Sequence, residues 1–136
     1  MTQKYPAKTV AEKSREYVHS HNKAGWLGLF APDGIIEDPI GVSYLDPTGQ
    51  GHSTPAQREA FWEQNIAHSD ITITIHNSYG AANECANQVT LDLKNQIEGK
   101  EVHIRIFGVF TYKVNDQGQL LSLRGYWEPE NIQMVA

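Results

Sequence analysis

At Asp70 the hydrophobic pattern of this chain changes period, from the spacing of a helix to strict alternation, and it does not change back. Ile71, Ile73 and Ile75 alternate with Thr72, Thr74 and His76, and the β-branched residues favour a strand. Val89, Leu91 and Leu93 alternate next, and Glu98-Gly99-Lys100 then turns the chain into a long strand over 101–114. Asn115-Asp116-Gln117-Gly118 turns it again, and a last strand covers 120–127. A chain that is helical first and a strand meander afterwards is α+β, with helices covering one face of the sheet.

The helical part has its own punctuation. Thr9 and Glu12 have the spacing of a capping box, which predicts a first helix over about 10–22. Asn22 to Gly25 reads as a break, and Trp26 to Phe30 as a short apolar helix stopped by Pro32. A short strand follows over 35–38, where Pro39 holds Asp38 extended at the strand end. Residues 39–53 carry three glycines and no period, so they form a long loop of the kind that lines or covers a site. Thr54, Pro55 and Gln57 cap a third helix running to about Ser69. The expected architecture is a cone-shaped barrel, a curved antiparallel sheet wrapped around three N-terminal helices, in one domain over 1–136. Asn131 and Ile132 in the tail are expected to pack back on it.

On the long strand Val102, Ile104, Ile106, Gly108, Phe110 and Tyr112 share one side, while His103, Arg105, Phe107, Val109 and Thr111 share the other. Phe107 and Val109 facing outward predict a homodimer through the outer sheet face.

With 136 residues the chain fits one domain large enough to bury a core without staples. Cys85 is the only cysteine, which forbids an internal disulfide and reads as a small buried hydrophobe. A net charge of −5 with no basic patch argues against nucleic acid and against anionic membrane as partners. The opening segment lacks the apolar stretch of an export signal, and no run is long enough to span a bilayer. A cytoplasmic protein is the expectation.

Six histidines raise the question of metal, yet His19 and His21 sit two apart on a helix and the rest are scattered. No metal site is expected, and no nucleophile elbow or glycine-rich phosphate turn is present. What remains is an acid at a strand end, Asp38, and a helix-borne phenol, Tyr17. Asp38 shares strand parity with Ile36, so both face the interior while Glu37 points away.

The stretch from Leu29 to Gly41, with Glu37-Asp38-Pro39 at its centre, resembles the segment of bacterial ketosteroid isomerases in which the acid before proline is the catalytic base. Tyr17-Val18 with Asn22 is similar to their first helix, and Leu123-Arg124-Gly125-Tyr126-Trp127-Glu128 with Asn131-Ile132 to their last strand and tail. The resemblance implies the cone shared with nuclear transport factor 2 and polyketide cyclases. It implies an enzyme without a cofactor that shifts a double bond beside a ketone in a flat apolar, steroid-like ligand.

In that chemistry one carboxylate takes a proton from one carbon and returns it to another. Donors aimed at the carbonyl oxygen hold the charge that collects there. The resemblance makes Asp38 the base and Tyr17 the donor, although an ungapped reading puts Ser14 in the donor's place. The isomerases' second donor, a protonated aspartate, falls on Gly108 or Phe110, neither of which donates from a side chain. Trp127 is expected to line the pocket, with Leu123 on its strand face and Phe30, Phe61 and Trp62 as further ligand contacts or plain core. Two other readings use the same hollow: a non-catalytic steroid-like binding protein, and a polyketide cyclase or dehydratase.

Overall fold

The computed structural model describes residues 4–135; Met1 to Gln3 of the opening segment and Ala136 of the tail lie outside the described residues. Helix α1 spans Pro6–His19, one turn earlier than the Thr9–Glu12 spacing predicts. Pro6 occupies the first turn, where its missing N–H costs nothing, and the buried stripe Ala7, Val10, Ala11, Ser14, Val18 begins there too. The expected capping box is therefore not a cap; both residues lie inside the helix.

Helix α2, Lys23–Leu27, also starts earlier than expected, because Asn22 is its cap: the Asn22 side chain accepts the Gly25 N–H at 2.9 Å. Phe30 consequently opens strand β1, Phe30–Glu37, instead of closing a helix. β1 tolerates Pro32 because it is an edge strand with a register break between Phe30 and Ile35. The buried Arg58 guanidinium serves the carbonyls around that break, donating to Gly34 O at 2.8 Å and Pro32 O at 3.3 Å.

Helix α3, Pro55–Asn65, carries the predicted capping box, with Thr54 and Gln57 each bonding the other's backbone N–H, and ends four residues short of Ser69. Strands β2 (Asp70–Ala81), β3 (Glu84–Ile97), β4 (Lys100–Val114) and β5 (Leu120–Tyr126) follow as the alternation requires. After a single 3-10 turn the short β6, Gln133–Val135, pairs with β4. The order β1-β5-β4-β3-β2 is antiparallel except that β1 and β5 run parallel. This curved, unclosed sheet wraps the three helices, as the α+β cone expected from the sequence.

The alternation decides which side chains meet. Cys85, Val89, Leu91 and Leu93 of β3 and Ile106, Phe110 and Tyr112 of β4 face the helices. Phe107, 53% exposed, Val109 and Tyr126 stand on the outer face. Trp26 packs against Phe30, Phe61 and Trp62 at centroid separations of 5.1, 6.3 and 5.3 Å, which plugs one end of the cone with aromatic rings.

Candidate active site

The plug leaves the rest of the cone hollow. A cavity of about 300 Å³ runs along the inner sheet face, at the lower end of the range for small-molecule sites. Its walls are mostly apolar, from Val18, Phe61, Ile66, Ile71, Ile73, Val89, Leu91, Leu93, Ile104, Ile106, Phe110 and Leu123. Polar groups sit on it in two places, Asp38 with Ser14, Tyr44, Tyr112 and Trp127 in one, and Gln64, Asn65, Ser69 and Asn95 in the other.

Asp38 follows directly on β1, beside Glu37, whose carboxylate turns outward and accepts from Arg124 Nε at 3.1 Å. The Trp127 indole N–H donates to Asp38 Oδ1 at 2.6 Å. Gly125 makes room for the carboxylate: a Cβ built there would lie 2.7 Å from Asp38 Oδ1 and 2.9 Å from the Phe110 ring. Burial pushes the Asp38 carboxyl up and the indole hydrogen bond offsets part of the rise, which leaves it at about 6 against the ordinary 3.8. The acid is thus held in a water-poor wall yet is mostly ionised at neutral pH.

The phenols are Tyr112 and Tyr44. Tyr112 is buried on the inner face of β4, and its hydroxyl is held above the ordinary tyrosine range by burial, then by the nearby Cys85 and Asp38, with Ser14 partly offsetting the rise. Tyr44, on the loop after β1, is raised by burial and then by the Asp38 charge. Ser14 is 3% exposed and accepts the Trp26 indole N–H at 3.0 Å, which fixes its hydroxyl on the cavity side of α1. The loop is itself tied down, with Asp46 accepting from Gly51 N, Thr48 Oγ1 and Gly49 N, and His52 paired to Ile36 through two backbone bonds.

Of the residues singled out from sequence, the structure brings Asp38, Trp127, Phe61, Phe110 and Leu123 together on the cavity. Tyr17 is not there. It is half-buried on the side of α1 facing α2, where a Cβ on Gly25 would come within 3.0 Å of its ring, and Ser14 takes the cavity position as the ungapped alignment has it. Phe30 and Trp62 are consumed by the packing around Trp26. Gly108 is walled off by the Tyr126 carbonyl and the Trp127 Cβ, 2.7 and 2.9 Å from where its own Cβ would stand. Tyr112 also lines the cavity; it shares the inner parity of Phe110, the one sequence signal that places it there, and a tyrosine at such a position is usual for a core strand.

A larger open groove of about 910 Å³ lies on the other side of β5, between Pro39, Ile40, Phe107, Tyr126 and Ile132. Asp38 borders the interior cavity and not this groove. Among the described residues no three His, Cys, Asp or Glu converge on a metal position, and no helix is long and apolar enough to cross a membrane. Burial raises the Cys85 thiol to about 11, which makes it an inert core group.

Three helices under a curved, unclosed sheet, with a partly buried acid on the hollow between them, are the cone of the nuclear transport factor 2-like superfamily. The chain belongs to the SnoaL-like domain family, whose model matches residues 11–122. It is similar to RV0760c of Mycobacterium tuberculosis, with 32% identity over 99% of this chain and 100% of that one and a TM-score of 0.90. A structure of RV0760c in complex with estradiol-17beta-hemisuccinate matches with 33% identity over 95% and 98% of the two chains, TM-score 0.88. The Delta 5-3-ketosteroid isomerase of a Mycobacterium species is 30% identical over 96% and 99%, TM-score 0.88. No curated protein matches the chain.

Proposed function

We propose that this protein binds a flat, largely apolar ketone of steroid-like shape in its cavity and moves a carbon–carbon double bond into conjugation with the carbonyl. The observation that carries the reading is Asp38, an acid raised to about 6 by burial, bonded to Trp127 and facing an apolar hollow. The carboxylate removes a proton from the carbon between carbonyl and double bond, the electron pair spreads into a dienolate, and the resulting acid returns the proton at the far end of the former double bond. No cofactor takes part in that sequence.

Tyr17 leaves the donor role, and Tyr112 with Ser14 takes it up, because their hydroxyls border the same cavity as Asp38. Trp127, Phe110, Phe61 and Leu123 hold the ligand's flat body. Similarity to an isomerase and to a protein crystallised with a steroid derivative supports the choice of ligand class. The outer face, with Phe107 and Tyr126 about half exposed, is proposed to pair with a second copy in the cytoplasm.

The test adds a β,γ-unsaturated ketosteroid and follows the conjugated enone absorbance. The rate is expected to collapse in Asp38→Asn; equal rates in the two proteins refute the mechanism. A second reading, a binding protein without rapid turnover, is favoured by one observation: Gly108 or Phe110 stands where a second acid donor is expected, and loss of such a donor costs roughly a hundred- to a thousandfold in rate. Stoichiometric binding of a steroid-like phenol with no turnover selects it.

A further inference from the structure

The second polar group on the cavity is left without a task by proton chemistry. Asn65 is the last residue of α3, Ser69 lies in the turn that follows, and Asn95 is on β3. All three are partly buried and border the cavity. The Ser69 hydroxyl donates to Asn95 Oδ1 at 2.7 Å, and the Ser69 carbonyl is bonded to His21 Nε2 at 2.9 Å, so the turn is clamped to both β3 and the end of α1. Asn65 Nδ2 is engaged with the Phe61 carbonyl at 3.1 Å. These bonds spend one side of each amide, leaving the Asn95 NH₂ as donor and the Asn65 Oδ1 as acceptor.

The cluster is remote from Asp38. Phe110 abuts the space beside Asp38, while Asn95 pairs with Val102, eight residues along the same strand, a path of roughly 26 Å at strand rise before curvature shortens it. Leu93 and Ile104, a cross-strand pair, fill the wall between the two polar ends. No charged side chain of the described residues borders the cavity at this end. A fixed, neutral set of amide and hydroxyl groups at the end of an apolar slot matches a neutral oxygen function, a hydroxyl or a carbonyl, and is poorly matched to a carboxylate or ammonium.

We propose that Asn65, Ser69 and Asn95 form a specificity site for a hydroxyl or carbonyl oxygen on the end of the ligand opposite the reacting ketone. This rests on the cavity reading above, and it concerns binding, which is measured without turnover.

The experiment uses the full chain and two planar phenolic steroids, estradiol and its 17-deoxy analogue, titrated by the fluorescence of Trp26 and Trp127, which border the cavity. Estradiol is expected to bind about tenfold more tightly, the effect of one well-made hydrogen bond. In Asn95→Leu the preference should fall to about unity while the deoxy compound keeps its affinity, and Ser69→Ala should weaken it in part. Asp38→Asn should leave the preference intact. Equal affinities in the wild type, or a preference undiminished in both Asn95→Leu and Ser69→Ala, overturn the specificity site while the cavity reading stands. Failure of both steroids to bind folded wild-type protein overturns the cavity reading and this site with it.

Discussion

Replacing Asp38 with Asn should make the protein more stable at neutral pH, because the native fold holds this carboxylate in a place it would not choose. The carboxyl titrates near 3.8 when unfolded and at about 6 in the native cavity, raised first by burial. That difference is worth ~3 kcal/mol. Asp38 is only partly buried, so solvent screens part of the charge and a recovery of about 1–3 kcal/mol is expected. The sign follows from proton binding: between those two values the native state holds the proton more firmly. The Asp38 contribution is therefore fully present below about pH 3.8 and is lost as pH rises through about 6. Asn, which cannot ionise and still accepts from Trp127, escapes the loss. Thermal unfolding of both proteins across pH 4 to 8 is the assay. At pH 8 the midpoint should rise by roughly 5–10 °C in the variant, with the gap closing towards pH 4. A variant equally or less stable at pH 8, or a gain that does not vary with pH, refutes the placement of an ionised acid in a dry wall.

Trp127→Phe removes a donor to the charged form of Asp38, so the acidic limb of the kcat/KM profile should move from about 6 upward by roughly one to two pH units; a profile that stays or moves down refutes the role given to the indole. Tyr112→Phe should slow isomerisation by about a hundredfold or more, whereas Tyr17→Phe should leave it near wild type, and the reverse ranking returns the donor role to Tyr17. Phe107→Lys should convert a dimer at micromolar concentration to monomer by light scattering, and a monomeric wild type removes the pairing from the proposal.

The strands were legible because alternation is a local property: Ile71, Ile73 and Ile75 or Ile104 and Ile106 name the inner face with no knowledge of their partners. The helix starts were less so, since Thr9 and Asn22 are both cap-forming residues and only the packing of Ala7 and Trp26 decides which one caps. Asp38 was readable from its strand parity and the proline after it. Tyr17 was misplaced because three residues turn a helix by about 300°, and the remaining 60° is enough to aim one side chain at α2 and the other into the hollow. Phe30 and Trp62 were lost to Trp26, whose demand for aromatic neighbours is a tertiary fact. The cluster of Asn65, Ser69 and Asn95 lies beyond any linear pattern, because α3 and β3 bring it together across some 30 positions.

The bare α-carbon at Gly125 offers a way to sort kindred chains by inspection. The atoms a methyl would strike first are the movable tip of Asp38 and the Phe110 ring, so an alanine there would dislodge the acid from its niche without dismantling β5. Descendants of this architecture that keep the acid but have acquired bulk at that point should fold, accept a guest and leave it chemically untouched.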